Sequence, residues 1–197
     1  RISALKPGES HRVVAGKGAP VNGFNSLNED VRLSVAPNGD LFVASGSSTR
    51  WQLVRFCNGS GEIILDIPWE VTNVFCSRDG VLYVLGTTSV QKLEGSQLSP
   101  VVNSEQLPEA YRFLASDMFA LRKEAVYIYI SDNMNKRVLR FFEGEPLPTV
   151  VAEFREREPQ LGSLFVTEDE RIFVADRRNR KILTTDAERT CSELDLA

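Results

Sequence analysis

Histidine and cysteine are scarce in this chain of 197 residues. The single histidine is His11, and the three cysteines, Cys57, Cys76 and Cys191, lie far apart and form no C-x-x-C pair. A multi-histidine zinc site is therefore excluded, and a histidine-based triad would depend on one residue. The cysteine spacing also argues against a disulfide framework or a zinc knuckle. We expect no catalytic residues, no metal and no cofactor.

Long apolar runs and nucleotide-binding motifs are also missing. No stretch of 18 apolar residues occurs, and the sequence has no P-loop, no glycine-rich dinucleotide motif and no G-x-S-x-G. The 23 basic and 27 acidic side chains give a formal net charge of -4, which provides no general attraction to phosphate backbones or anionic membranes. We therefore expect a soluble or peripheral protein that does not bind nucleic acid and reaches membranes only through a partner.

The start of the chain bears on its compartment. Residue 1 is Arg, and the first ten residues lack the apolar core of a signal peptide. We expect either a processed chain, organellar or secreted, or a truncated one, and the compartment stays open.

An internal repeat organises the chain. Four segments with a period-two pattern each combine a short strand, a polar turn and a second strand rich in aromatic and β-branched residues. The turns of the first two contain Asn38-Gly39 and Asp79-Gly80, dipeptides that are typical of short hairpins. Aligned positions in the second strands are Leu41, Leu82, Val126 and Ile172. The intervals of 41, 44 and 46 residues are close to the length of one four-stranded propeller blade.

Further strands complete each repeat. Third strands are predicted at 51–56, 90–93, 137–142 and 181–184, and fourth strands at 62–67, 100–102 and 149–154. The sequence therefore predicts an all-β fold: a single domain over 1–197 with about four blades. The repeats run approximately over 24–67, 68–103, 104–154 and 155–197.

Two repeats carry a turn motif of mixed charge. In residues 127–141 and 172–183, an aspartate is followed by an asparagine after three residues and by a basic residue after five. These residues are Asp132, Asn135, Arg137 and Asp176, Asn179, Lys181. Asp and Asn bond to neighbouring backbone groups and the basic residue can pair with the Asp, which indicates a structural turn.

The two motif segments resemble the NHL-repeat β-propellers, and residues 13–28 resemble the connector that leads into a blade of that family. The resemblance implies a β-propeller. Members of this family usually have six blades, which at about 44 residues each need roughly 260 residues. The first two repeats depart from the motif at 45–50 and 86–89, so a common ligand is not implied.

Closure of the propeller leaves two alternatives. The sequence has four hairpin sets but five candidate outer strands, which is one more than four blades need. Two of the five candidates are residues 12–15 and a polar tail at 190–196. We expect residues 12–15 to close the last blade, because the tail is rich in Asp, Glu and Ser. The blades then form either a compact four-bladed ring or an incomplete, open arc.

Three features are candidate contacts for partners. A helical stripe is predicted in the connector between the second and third repeats, Trp69 follows Pro68 in an earlier connector, and basic residues cluster near the C-terminus. The residues are Leu107, Tyr111 and Leu114, continued by Met118; Trp69; and Arg177, Arg178 and Arg180.

These features favour a non-enzymatic scaffold for protein–protein interaction, as an accessory subunit or domain of a larger assembly. One or more protein partners are therefore expected. The first alternative is a degenerate metal-dependent propeller enzyme of the lactonase or lyase type. The second is an RNA-binding propeller, since some NHL propellers bind single-stranded RNA on a basic face.

Overall fold

A computed structural model describes residues 2–4, 12–15, 30–47, 50–57, 60–142, 144–154, 158–185 and 191–194. Nearly all of them are in strands and turns, and two short 3-10 helices, Ser104–Gln106 and Glu109–Tyr111, are the helical segments of this part of the chain. None of its helices is long and apolar enough to cross a membrane. The predicted all-β fold is confirmed.

Eighteen strands form five antiparallel sheets in the described ranges. A two-stranded sheet comes first, with β1 (Ile2–Ala4) and β2 (Arg12–Ala15). Four sheets of four strands follow, and we call them blades 1 to 4. Blade 1 consists of β3 (Asp30–Val35), β4 (Leu41–Ser47), β5 (Arg50–Cys57) and β6 (Ser60–Ile67), and blade 2 of β7 (Val71–Cys76), β8 (Leu82–Gly86), β9 (Ser89–Glu94) and β10 (Gln97–Asn103). Blade 3 consists of β11 (Ala115–Arg122), β12 (Val126–Asp132), β13 (Arg137–Phe142) and β14 (Thr149–Glu153). Blade 4 consists of β15 (Leu161–Val166), β16 (Ile172–Asp176), β17 (Lys181–Thr185) and β18 (Cys191–Leu194).

The strands of each blade pair in chain order, from an inner strand that packs on the neighbouring blades to an outer strand. The arrangement is that of a four-bladed β-propeller. Turns between first and second strands lie on one face, which we call the lower face. Gly39 and Gly80 adopt φ of 87° and 84° there, as the predicted Asn-Gly and Asp-Gly turns require. Turns between second and third strands, and the connectors between blades, lie on the opposite, upper face.

The last blade is completed differently from the prediction. Strand β18 pairs with β17, whereas β2, the strand at residues 12–15, pairs with β1. The expectation that residues 12–15 close the last blade is therefore wrong. The first physical reason is that few residues separate β17 from β18, so that pairing them costs little loop-closure entropy. The second is that an outer strand tolerates polar residues because one of its edges faces water.

Three hydrophobic clusters hold the blades together. One joins blades 1 and 2 around Trp51 and Val74, a second joins blades 2 and 3 around Leu85 and Ile130, and a third joins blades 3 and 4 around Tyr129. Among the described residues, no such cluster joins blade 4 to blade 1. The packing therefore follows the blades in order and leaves one face of each end blade outside these clusters.

Alternate residues of the inner strands face opposite neighbours, because successive side chains of a strand point to opposite faces of its sheet. On the side of each inner strand that faces the next blade in chain order, Phe75 contacts Phe119 with a ring-centroid distance of 4.9 Å. Phe119 contacts Phe165 at 5.3 Å. This aromatic row crosses two blade interfaces. It ends at Phe165, which is 55% exposed.

Asp117 connects three blades through a buried carboxylate. It accepts hydrogen bonds from Asn73 of blade 2, from its neighbour Met118 N at 2.8 Å and from Leu164 N of blade 4 at 2.8 Å. Burial raises the pKa of Asp117 above its ordinary value, although these donors and the charge of Arg177 act in the opposite direction. The carboxylate is therefore a polar junction inside an otherwise apolar interface.

We expect Asp117→Asn to lower the free energy of unfolding by about 1–2 kcal/mol, because the amide keeps only one acceptor oxygen for three donors. The folded wild-type protein binds the carboxyl proton more tightly than the unfolded chain. Its stability relative to that of the variant is therefore greatest at acidic pH and falls as pH rises through the raised pKa. Urea unfolding at several pH values between about 4 and about 7 measures this difference.

The matched control is Asp30→Asn on exposed β3, for which we expect a change within about 0.5 kcal/mol at every pH. A stability difference between wild type and Asp117→Asn that stays constant with pH would contradict the role of the buried carboxylate.

Candidate functional site

The two motif turns lie next to each other on the upper face, in blades 3 and 4. Asp132 is fully buried at the end of β12. Its carboxylate accepts hydrogen bonds from Leu114 N at 3.2 Å, from Asn135 Nδ2 at 2.7 Å and from Arg137 Nε at 2.9 Å. The Asp132 carboxylate is therefore surrounded by hydrogen-bond donors from the protein itself, and its negative charge is stabilised by these donors.

The same turn anchors the connector between blades 2 and 3. Arg137 donates from Nη1 to Ala110 O at 2.8 Å and from Nη2 to Arg112 O at 3.0 Å. Asn135 Nδ2 donates to Arg112 O at 2.9 Å. These bonds satisfy carbonyl groups of an irregular segment, which has few backbone partners of its own. The motif therefore fixes the path of a loop on the upper face.

The equivalent turn of blade 4 is built around Asp176. Its carboxylate accepts from Asn179 Nδ2 at 2.6 Å, from Arg178 N at 3.1 Å and from Gln160 N at 3.1 Å. Lys181 lies opposite Asp176 in the strand register. Burial alone would raise the pKa of Asp176, but the bonds from Asn179 and the backbone outweigh it and hold this pKa below its ordinary value.

The predicted helical stripe does not exist, and this expectation is wrong. The connector forms two 3-10 turns separated by Leu107 and Pro108, and Met118 lies on strand β11. Leu107 packs against the cluster of blades 2 and 3, Tyr111 is half-buried and Leu114 is 42% exposed. The residues at helical spacing therefore face different surroundings, and their role as partner contacts stays a prediction.

Trp69 is half-buried in the connector between blades 1 and 2. It packs against their shared cluster, and a Cβ placed on Gly86 would lie 3.2 Å from its ring. Glycine at position 86 leaves the space for this ring. The structure therefore assigns much of the Trp69 surface to packing within the protein.

Several basic side chains lie on or beside the two motif turns. The exposed or half-buried ones, which we call the upper basic patch, are Arg112, Lys136, Arg177, Arg178 and Arg180. The turns are joined by backbone contacts: Leu161 N donates to Asn133 Oδ1 at 2.9 Å, and Arg177 N donates to Gln160 O at 3.0 Å. A Cβ on Gly162 would lie 2.6 Å from Arg177 Nε, which places this guanidinium over the junction of blades 3 and 4.

Few acids balance this patch. Arg178 Nη1 pairs with Glu158 Oε2 at 3.2 Å, whereas Arg177 and Arg180 make no ion pair with any described residue. The nearest motif acids, Asp132 and Asp176, are buried in their turns. Among the described residues, Arg177 and Arg180 therefore have no ion-pair partner, although the charge of Arg177 acts on the buried carboxylate of Asp117.

Lys136 and Arg180 occupy equivalent turn positions with unusual backbone angles. Both adopt φ of 56°, a left-handed conformation in which a non-glycine residue costs on the order of 1 kcal/mol. Glycine would fit both positions without this strain. A long cation stands at each of them instead, and Lys136 Nζ donates back to Asn133 O of its own turn at 2.7 Å.

The lower face differs in its charge pattern. Arg122 Nη1 pairs with Asp79 Oδ2 at 2.8 Å, and Glu170 pairs with Lys123 Nζ at 2.5 Å and with Arg140 Nη1 at 2.8 Å. A groove of 410 Å³ between the turns of blades 1 and 2 is lined by the Asp40–Arg55 ion pair and other charged residues. The described residues include no group of three or more His, Cys, Asp or Glu arranged to hold a metal ion.

We expect Asp132→Ala to lower the free energy of unfolding by about 3 kcal/mol, because it leaves Arg137 and two backbone or amide donors without their acceptor. Amide hydrogen exchange at 112–114 should accelerate as the connector loosens. The control is Asp169→Ala on the lower face, where the acid is exposed and the expected loss is below about 1 kcal/mol. Equal losses for the two variants would refute the anchoring role of Asp132.

Several solved structures share this fold. Virginiamycin B lyase from Staphylococcus aureus, a catalytically inactive histidine-to-alanine variant solved with quinupristin, superposes with a TM-score of 0.64 and 11% identity over 88% of this chain and 58% of that one. A streptogramin B lyase gives 0.61 and 12% over 84% and 54%, respectively. A protein of unknown function from Bacteroides thetaiotaomicron gives 0.68 and 11% over 92% and 48%.

No protein-family model and no curated protein matches the sequence. The resemblance to NHL repeats therefore stays a prediction, while the propeller fold is shown. This chain spans about half the length of the three solved structures named above. At these identities the likeness establishes the β-propeller fold that the three proteins share with this chain.

Proposed function

We propose that this propeller is a non-enzymatic interaction module that binds an acidic segment of a protein partner on its upper face, across blades 3 and 4. The observation that carries the proposal is the upper basic patch, where Arg177 and Arg180 form no ion pair with a described residue. Such a module suits an accessory subunit or domain of a larger assembly. A rigid propeller can present this surface without any catalytic group.

Charge complementarity favours an acidic ligand. Side chains of the lower face are joined in pairs across blades, so they offer little net attraction. The upper basic patch has cations from two blades and from the connector before blade 3, and among the described residues one ion pair, between Arg178 and Glu158, lies within it. A partner with several carboxylates would satisfy them, with faster association at low ionic strength.

An acidic peptide is a better fit than single-stranded RNA. Proteins that bind single strands combine positive charge with aromatic side chains on which bases stack. Phe165 is the exposed large aromatic residue of the described ranges, and it lies on the blade 4 end face rather than among the upper turns. The net charge of -4 also opposes general binding of nucleic acid.

The lyase alternative is supported by fold likeness alone. Two of the neighbours are lyases, but their identity to this chain is 11% and 12%. One of them is catalytically inactive as a histidine-to-alanine variant. The single histidine of this chain, His11, lies outside the described residues. We therefore place this activity second.

Fluorescence anisotropy with a labelled oligoglutamate peptide tests the proposed function. We expect binding that weakens as salt is raised, and a loss of at least about tenfold in affinity for the double variant Arg177→Glu, Arg180→Glu, because each reversal replaces an attraction with a repulsion. A labelled oligouridylate of equal length should bind more weakly than the peptide. Quinupristin incubated with the same preparation should keep its chromatographic retention time.

The matched control reverses cations of the lower face, Arg78→Glu together with Lys123→Glu, which should leave peptide affinity within about twofold. Tighter binding of the oligouridylate would favour the RNA alternative. Conversion of quinupristin would favour the lyase alternative. Unchanged peptide affinity in the upper-face double variant would overturn the proposal.

A further inference from the structure

Two exposed apolar side chains lie beside the motif turn of blade 3. Leu114 N donates to Asp132 Oδ1 at 3.2 Å, and Asn133 N donates to Leu114 O at 3.1 Å. These bonds fix the backbone of Leu114 against the turn, next to the residue that precedes Met134. Leu114 is 42% exposed and Met134 is 51% exposed. We call these two residues the apolar pair.

Blade 4 repeats this backbone arrangement with different side chains. Gln160 N donates to the motif carboxylate at 3.1 Å, and Arg177 N donates to Gln160 O at 3.0 Å. Gln160 is therefore equivalent to Leu114. The second residue after the motif aspartate is Arg178, where blade 3 has Met134. The same turn thus presents two apolar side chains in blade 3 and a polar and a cationic side chain in blade 4.

Hydrogen bonds join the apolar pair to the cations of blade 4. Leu161 N donates to Asn133 Oδ1 at 2.9 Å, which connects the turn of blade 3 to the first strand of blade 4. Asn133 directly precedes Met134 in its turn, and Leu161 directly follows Gln160, which accepts from Arg177 N. The apolar and the cationic turn therefore meet at one junction.

Cations also flank the apolar pair within its own segments. Arg112 and Leu114 are exposed, whereas Phe113 between them is 1% exposed. Because successive side chains of an extended segment point to opposite sides, Arg112 and Leu114 project together toward solvent. Lys136 follows Met134 by two residues in the turn. The apolar pair is thus surrounded by positive charge from the connector, its own turn and blade 4.

The location of the apolar pair distinguishes it from other exposed apolar residues of the described ranges. Single exposed apolar side chains are ordinary at a protein surface. The other large ones lie on strands or in the turn between β13 and β14, whereas Leu114 and Met134 lie together on the upper face. A ligand with acidic side chains alone would leave this apolar surface in contact with water.

We infer that the acidic segment bound by the upper face carries an apolar side chain, which docks on Leu114 and Met134 while its carboxylates pair with Arg177 and Arg180. This inference rests on the proposed function and specifies its ligand as a protein segment in which acidic and apolar residues alternate. Charge complementarity speeds association, and burial of the apolar side chain slows dissociation. Methionine has an unbranched side chain that adapts to the shape of such a ligand.

Fluorescence anisotropy with two labelled peptides tests this inference. One peptide repeats the unit Glu-Glu-Leu, and the other has Ser in place of each Leu, with the same length and charge. We expect the leucine peptide to bind at least about fivefold more tightly, because docking removes apolar surface from water. This difference should persist as salt is raised, since salt screens the charges and leaves the apolar contact in place.

The double variant Leu114→Gln, Met134→Gln should remove the advantage of the leucine peptide. It keeps every cation, so its affinity for the serine peptide should stay within about twofold of the wild-type value, which also shows that the upper face is folded. The matched control is Ile63→Gln together with Leu147→Gln, at residues that are 44% and 42% exposed on β6 and between β13 and β14. This control should keep the full advantage of the leucine peptide.

Alkylation of the variant Met134→Cys, followed at residue 134 by mass spectrometry, locates the contact. We expect the leucine peptide at saturation to slow this reaction by at least about tenfold, and the serine peptide to slow it by less than about threefold. Cys76 is 8% exposed in the core between blades 1 and 2 and serves as the internal control. Its reaction rate should not change with either peptide.

The outcomes separate this inference from the proposed function. A leucine advantage that is lost in the glutamine double variant supports the inference. Equal affinity for the two peptides, with both weakened by Arg177→Glu, Arg180→Glu, overturns the apolar contact and leaves the proposed function intact. Affinities that do not depend on Arg177 and Arg180 overturn both.

Two further results would place the apolar contact elsewhere. A leucine advantage that survives in the glutamine double variant overturns docking on Leu114 and Met134. Slow alkylation of residue 134 before any peptide is added, or alkylation that slows as the protein concentration rises, would mean that the chain itself or a second copy covers the apolar pair. Either result overturns the inference.

Discussion

The alternation of side chains along the inner strands is the constraint on which the structure depends. Each inner strand turns one set of residues toward the blade before it and the other set toward the blade after it. This alternation builds three interfaces between blades. They bury Val74, Met118 and Leu164, each on the side of its strand that faces the preceding blade. The same alternation leaves Leu33 at one end of the series and Phe165 at the other end exposed.

The upper and lower faces differ in their charge pattern because the acidic side chains of the motif turns are buried and bonded within the protein. Asp132 and Asp176 are buried and accept bonds from their own turns and from connector segments. Their negative charge therefore compensates little of the cationic surface above them. On the lower face, acids and bases of neighbouring hairpin turns meet directly, as in the pair formed by Asp79 and Arg122. The described part of the upper face thereby carries a cluster of basic side chains although the chain as a whole is acidic.

Much of the fold follows from local sequence signals. The period-two patterns and the turns at Gly39 and Gly80 predicted the strands of blades 1 and 2 because both signals act within one hairpin. The spacing of Leu107, Tyr111 and Leu114 misled, because three residues can match a helical period by chance while tertiary bonds from Arg137 hold the segment in 3-10 turns. The contribution of Arg112 and Lys136 to the basic patch depends on how separate segments meet in space, which spacing along the chain does not show.

In the described residues the blades pack in series from blade 1 to blade 4, and paired alanine substitutions test this order of packing most directly. Phe119 lies between Phe75 and Phe165, whereas Phe165 is more than half exposed. Urea unfolding should show a loss of about 2–3 kcal/mol for Phe119→Ala and less than about 1 kcal/mol for Phe165→Ala. A loss for Phe165→Ala as large as that for Phe119→Ala would mean that Phe165 is covered as fully as Phe119, and would contradict this order of packing.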